Sequence, residues 1–195
     1  MLRRELRLSL TDLSQRLASR RFPAPSRHES PAHPRAAVAV ILARNPESVL
    51  LIRRAERADD PWSGDIGLPG GRPSTADADL LETAMRETTE EVGIELERRQ
   101  YLGLLDQVSP RSPYAHLVVV QPYVFLLPDR PGLTLSEEVA EAFWVDLAEL
   151  RDPAIQREML IDLRGQQLTF PAYHLTHGVV WGLTERILTP LLALV

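Results

Sequence analysis

Glu87, Glu90 and Glu91 stand at positions i, i+3 and i+4 of the stretch "LPGGRPSTADADLLETAMRETTEEVGI", Leu68 to Ile94. On a helix this spacing brings three carboxylates together, and like charges four residues apart destabilise a helix by roughly 0.2–0.5 kcal/mol. The cluster also falls in the C-terminal half of the segment, where the macrodipole disfavours negative charge. A bound cation would compensate for both effects. Hard carboxylate oxygens suit Mg2+ or Mn2+, ions that commonly bridge protein carboxylates and substrate phosphates. A Gly70-Gly71 turn just upstream adds a place where backbone can approach a ligand closely.

The elements that must position these residues can be read from periodicity. "AAVAVILAR", Ala36 to Arg44, is an apolar, partly β-branched run expected to form a buried strand. "NPES" turns the chain, and "VLLIRRA" returns as a second strand. Of Arg53 and Arg54, strand alternation lets only one face a given side. "ERADDPWSGDIGLPGGRPSTADA" is rich in Gly, Pro and Asp and is expected to be a long functional loop. The acidic helix follows, from Asp79 to Val92. Asp79 with Glu82 resembles a capping box, and Gly93 serves as the C-terminal stop. Leu81, Met85, Thr88 and Val92 form its apolar face, and the three glutamates fall on another.

"YLGLLDQV" and "AHLVVVQPYVFLL" are expected strands, and "EAFWVDLAEL" a strand running into a helix. "HGVVWGLTERILTPLLAL" has helical periodicity despite Gly178 and Gly182. Near the N-terminus, Leu6, Leu10, Leu13 and Leu17 predict an amphipathic helix packed on the domain or on a partner. The Pro-, Ser- and His-rich stretch after it reads as a linker. This divides the chain into residues 1–34, helix and linker, and residues 35–195, one domain carrying the acidic helix.

Length and composition agree with that division. The 195 residues are 44% hydrophobic and 25% charged, enough for one sizeable core. A net charge of −5 gives no basic field for nucleic acid, and no apolar run of membrane-spanning length occurs. With no cysteine, disulfides, Cys-ligated zinc and thiol chemistry are excluded. The N-terminus lacks a signal peptide's apolar core, so a cytoplasmic location is expected. Its arginines leave an organellar presequence open. No nucleic-acid or membrane partner is expected, and a role with a small-molecule nucleotide stays open. A homodimer through the N-terminal helix stays open.

The Leu68–Ile94 stretch resembles the Nudix box, G-x5-E-x7-R-E-U-x-E-E-x-G-U, with U a bulky apolar residue. Gly71 matches the opening glycine, and Arg86-Glu87, Glu90-Glu91, Gly93 and Ile94 match the second half in register, with Thr88 at the first U. Two departures stand out. One extra residue separates Gly71 from Arg86, and Ala78 occupies the register of the first glutamate, leaving Asp77 or Asp79 to serve there. The resemblance implies an α/β class fold, a three-layer α/β/α sandwich with a mixed β-sheet. It further implies divalent-metal-dependent hydrolysis of a nucleoside diphosphate derivative with Mg2+ or Mn2+. Glu87 and Glu91 would then bind the metal, Glu90 metal or water, and Arg86 would orient a glutamate. The general base is drawn from Glu137, Glu138 or Glu141, with Glu138 preferred.

"VLLIRRAERADDPWSGDIGLPGGR" resembles the upstream signature of the coenzyme A pyrophosphatase subgroup, LLTxRS-x3-R-x3-G-x3-FPGG. Arg54-Ala55, Gly64 and Pro69-Gly70-Gly71 fit, whereas Asp59 stands at the second arginine, Arg57 lies two residues earlier, and Leu68 replaces Phe. "VVWGLTERIL" is similar to the terminal WGxT helix of that subgroup. Substrate binding is therefore assigned to Arg54, Arg57, Gly70 and Gly71, with coenzyme A or acyl-coenzyme A as substrate. Pro110, sixteen residues after the box, keeps an ADP-ribose or nucleotide-sugar substrate as the alternative. A catalytically inactive nucleotide-binding module is the alternative of another class, disfavoured because every acid of the second half survives. His174 and His177 suit a structural role better than a metal pair.

Overall fold

The computed structural model describes residues 10–19, 35–58, 62–110, 118–163 and 166–194. Leu6, most of the linker and Asp59 lie outside the described residues.

A seven-stranded mixed sheet carries the architecture. Strand β1 (Arg35–Asn45) runs parallel to β6 (Val119–Asp129) over most of its length, and β5 (Tyr101–Leu104) pairs antiparallel with β6. On its other edge β1 forms a hairpin with β2 (Glu47–Arg54), with Leu42 opposite Val49 and Arg44 opposite Glu47. β2 in turn pairs with β7 (Val139–Asp146). Beyond Leu42 the hairpin forks. Into the fork come two short strands, β3 (Ile66–Gly67) against β2 and β4 (Gly70–Gly71) against β1. The stretch expected to be a loop without regular structure therefore contributes strand pairing at its centre. Its glycines allow this by letting the backbone cross β1 at close range.

Helices cover both faces, as the sandwich expectation requires. Helix α2 (Leu80–Val92) lies on one face, where Leu81, Ala84 and Val92 pack with Ala37, Ile41, Leu50, Tyr123 and Phe125. The other face buries α1 (Leu10–Ser19), α3 (Leu147–Leu150) and α4 (Gly182–Leu192) in a second apolar cluster with Val40, Leu42, Leu51 and Val124. Leu10, Leu13 and Leu17 are all fully buried there, so α1 packs on its own domain. A Cβ at Gly103 on β5 would lie 3.0 Å from Leu17 Cβ, which explains a glycine at that crossing.

Two departures concern the C-terminal third. β8 (Gln156–Leu163) and β9 (Gln166–Leu175) form a hairpin that sequence periodicity did not signal. The expected terminal helix over residues 177–194 begins only at Gly182. Gly178–Trp181 is instead β10, paired with β9. Tertiary pairing overrides local periodicity here, because Val180 and Tyr173 enter the same core as α4. Among the described residues no helix is long and apolar enough to cross a membrane.

Candidate functional site

Helix α2 is set by its ends. The Asp79 carboxylate accepts from the Glu82 N–H at 2.9 Å, and Gly93 adopts the left-handed conformation (φ 72°) and donates to Thr89 O. The reverse half of the expected capping box is shifted by one residue: Glu82 accepts from the Ala78 N–H, not from Asp79. Thr88, a polar residue on the apolar face, is satisfied by donating to Ala84 O at 2.7 Å.

The place left open by Ala78 is taken by Asp77. Its carboxylate receives Arg86 Nε at 2.9 Å and Nη2 at 3.1 Å, the Ser74 N–H, and the Thr83 hydroxyl at 2.9 Å. The Arg86 guanidinium beside it holds Asp77 down to a pKa of about 2. Arg86 also reaches Glu87 Oε1 and Glu90 Oε2, each at 2.8 Å, and donates to Arg72 O. It therefore fixes the loop before α2 and the glutamates on it in one network.

The three glutamates differ in burial and in partners. Glu91 is buried, 4% exposed, and accepts from the Gly70 N–H at 2.8 Å. Burial pushes its pKa up to about 7 despite that bond, and the Glu87 charge adds to the rise. Glu87 lies over the Gly71 backbone, and a Cβ at Gly71 would fall 2.6 Å from its carboxylate. Its pKa is also raised by burial, against the pull of Arg86. Glu90 is more open, with a side chain 57% exposed, and the same Arg86 guanidinium that holds Glu87 also holds Glu90. Its charge acts on Glu87, so the two lie close while differing in burial. At i+3 the Glu90 carboxylate meets Arg86 one turn earlier, while the i, i+4 pair Glu87 and Glu91 faces β4. Among the described residues no three acidic or histidine side chains gather as a finished metal site.

Gly70 and Gly71 serve different neighbours. At Gly70 (φ 149°) a Cβ would sit 2.2 Å from Ala37 O and 2.6 Å from Val38 Cα, so the residue permits β4 to lie against β1. At Gly71 the obstacle would be the Glu87 carboxylate itself.

Of the three candidate bases, Glu138 is the one whose charge acts on both Glu87 and Glu91. It pairs with Arg57 at 3.1 Å. Glu137 is an exposed turn residue. Glu141 is committed elsewhere, to Arg53 at 3.4 Å and to His177 Nδ1 at 2.8 Å, and His177 stacks on Phe143 with centroids 4.0 Å apart. His177 holds its carboxyl below the usual range. Sequence reading missed this cluster, since the β9–β10 turn that delivers His177 belongs to the unforeseen hairpin. Arg54 acts electrostatically on Glu91, whereas Arg53 donates to His177 O and faces Glu141. The two arginines thus part to opposite sides of β2.

A divalent cation fits this donor set. Two carboxylates withdrawn from water keep raised pKa values even with Arg86 on Glu87 and Arg54 near Glu91, so a further cation would favour their charged forms. The site could hold a hard cation on Glu87 and Glu91 and present an anionic ligand to Arg54 and Arg57.

Comparison with known proteins agrees with this geometry. The family model described as NUDIX domain matches residues 33–163. The uncharacterised Nudix hydrolase NudL of Photorhabdus laumondii is 32% identical over 184 residues, covering 93% of this chain and 95% of that one. An uncharacterised protein of Schizosaccharomyces pombe is 42% identical over 131 residues, 64% of this chain but only 40% of that protein. Among solved structures, the MutT protein of Methanosarcina mazei covers 63% of this chain and 83% of its own at TM-score 0.51 and 25% identity. The NUDIX domain of Shewanella oneidensis NrtR, solved with ADP ribose, has TM-score 0.51 at 23% identity over 70% of this chain and 84% of that one, a likeness of fold.

Proposed function

The chain belongs to the Nudix family of pyrophosphohydrolases, and on that premise we propose that it cleaves a coenzyme A-type substrate to adenosine 3′,5′-bisphosphate and a 4′-phosphopantetheine compound. The observation that carries the chemistry is the pair Glu87 and Glu91 beside Gly70-Gly71, whose pKa values burial raises. Mg2+ or Mn2+ would be held by Glu87 and Glu91, with Glu90 as a third ligand. Bound there, the cation shields pyrophosphate oxygens and supplies hydroxide near neutral pH.

The protein's own groups have distinct tasks in this reading. Arg86 keeps the Glu87 carboxylate in place over Gly71. Arg54 and Arg57 contact phosphate oxygens, for which the guanidinium fork is well matched. Glu138 takes the proton of the attacking water. As that water's oxygen bonds to one phosphorus, the bridging P–O bond breaks and its electron pair leaves on the other phosphate. The substrate assignment rests on Arg54-Ala55, Gly64, Pro69-Gly70-Gly71 and the "WGLT" segment. Pro110 favours a second reading, ADP-ribose. The adjacent Ser109 O accepts from Arg186 Nη1 on α4, which ties this loop to the terminal helix.

The test is a panel of coenzyme A, dephospho-coenzyme A, ADP-ribose, NADH and dinucleoside polyphosphates with Mg2+ or Mn2+, read as kcat/KM. Preference for coenzyme A over dephospho-coenzyme A is expected. A strong preference for ADP-ribose would replace the substrate and keep the metal chemistry. No turnover with tight metal-independent binding would overturn the hydrolytic reading.

A further inference from the structure

We infer that Arg57 is a clasp shared between Glu138 and the substrate's phosphate, so that nucleotide binding itself releases Glu138 for the attacking water. The inference rests on the hydrolytic reading above and adds an order of events to it.

The pair is brought together by fixed backbone. The β2–β7 ladder shifts between Arg53, opposite Glu141, and Arg54, opposite Val139, so Ala140 is the extra residue of a bulge. Bulges re-aim the side chains that follow them. Val139 packs into the apolar cluster on the α2 side, and just before it the Glu138 charge acts on Glu87 and Glu91. The Ala55 N–H donates to Glu138 O at 2.9 Å, and the Arg57 N–H donates to Ser63 Oγ at 2.7 Å. Both chains are therefore held where their side chains meet, Arg57 Nη1 to Glu138 Oε1 at 3.1 Å.

The pair is also open to exchange. Its side chains are 50% and 56% exposed, so water and a phosphate can reach the guanidinium. Exposed ion pairs of this kind shift an equilibrium by no more than about five-fold. A phosphate offers a matching, more highly charged acceptor to the same fork. Once Arg57 turns to a phosphate, Glu138 loses its cation while its neighbours remain the acids of α2. It is then the unpaired carboxylate beside the water to be activated.

Removing the Glu138 charge should therefore improve binding through Arg57. The experiment measures Kd for α,β-methylene-ADP with Mg2+ by calorimetry on the wild type, Glu138→Gln, Arg57→Ala and the double variant. It also measures kcat and KM for the best pyrophosphate of the panel. Glu138→Gln is expected to bind the analogue about two- to five-fold tighter while kcat falls. In the Arg57→Ala background the same change should leave affinity unaltered. Tightening that persists without Arg57 would mean simple relief of repulsion and would overturn the clasp. Unchanged or weaker binding by Glu138→Gln would overturn it too, as would failure of the wild type to bind the analogue. Because this binding cycle needs no turnover, an inactive protein with intact coupling would defeat the hydrolytic reading, and with it the release of Glu138 for water, while the exchange of Arg57 between Glu138 and phosphate would be upheld.

Discussion

The two ends of helix α2 treat their acids in opposite ways. At the N-terminal end Asp77, Asp79 and Glu82 are each met by donors: Arg86, Thr83 and the Ser74 N–H; the Glu82 N–H and Arg98; the Ala78 N–H and Arg98. The helix dipole adds to their stabilisation. Further along, Glu87 and Glu91 feel each other and Glu138, with the dipole against them, and the Arg86 and Gly70 N–H bonds they accept do not offset their burial. Asp77 sits at a pKa of about 2 and Glu91 at about 7. One end of the helix holds its acids ionised, and the other holds acids whose pKa burial raises. On the proposed function, stability and chemistry are divided along a single element.

Glu91→Gln breaks the comparison most severely. It preserves size and an acceptor for the Gly70 N–H but removes the charge proposed to bind metal. A loss of at least about 10²-fold in kcat/KM is expected, since even groups behind metal ligands are worth 10–100-fold. Thermal unfolding without metal should show equal or higher stability, because a buried charge beside Glu87 is gone. An unaltered rate would remove Glu91 from the site. For the wild type, Mg2+ should raise the melting temperature through binding to the folded state alone. The Glu91→Gln variant should lose most of that rise.

The adjacent glycines sharpen the same division. In Gly70→Ala the new methyl meets β1 backbone in a strained conformation, so the fold should lose about 2–4 kcal/mol. In Gly71→Ala it meets only the movable end of Glu87. That variant should fold within about 1 kcal/mol of the wild type. Its activity should fall about 10-fold or more, because Glu87 is displaced. Denaturant melts and initial rates on the two proteins would separate the roles, and equal loss of stability in both would contradict this geometry.

The central strands, α2 with both caps and the β7–α3 passage were legible because local periodicity and burial coincide in them. Thr88 reads as an exception until its bond to Ala84 O is seen. The choice between Asp77 and Asp79 was not legible, since both stand beside Ala78 and only the fold of the 72–79 loop decides which one meets Arg86. The divergence of Glu90 from Glu91 depends on the same arginine. The β8–β9 hairpin was missed because its strands lie partly on solvent: Leu160 is 67% exposed, which blurs the alternation a half-buried strand shows. His177 was read as structural from its spacing, but its partner Glu141 comes from a strand 36 residues away.

At the N-terminal end, Asp77 predicts an acid transition. Its pKa is lowered from 3.8 to about 2, so its contribution is complete above about pH 4 and is lost as pH falls towards 2. A shift of this size corresponds to about 2 kcal/mol for a side chain only 5% exposed. Asp77→Asn should be less stable by roughly that amount at pH 6. The gap between the two melting curves should close between pH 4 and 2. A gap that stayed constant over that range would show that the carboxylate charge is not what stabilises the 72–79 loop.

The smallest effect belongs to the cap itself. Asp79→Ala removes the acceptor for the Glu82 N–H, and loss of an N-cap side chain is worth about 1 kcal/mol. The Arg98 contact at 3.4 Å adds little, because that arginine is 55% exposed. For a domain of this size the melting temperature should drop by about 2–4 °C. Asp79→Ser should recover most of it, since a hydroxyl accepts the same bond. The rate should stay within about two-fold, because Gly70, Gly71, Glu87 and Glu91 are held by β4 and Arg86 rather than by the cap. Comparing melting temperature with kcat/KM in Asp79→Ala therefore probes whether the two ends of α2 are independent. A rate that falls far more than this loss of stability accounts for would mean that the N-terminal turn transmits to Glu87 and Glu91, two to three helical turns away, and the division along the helix would have to be given up.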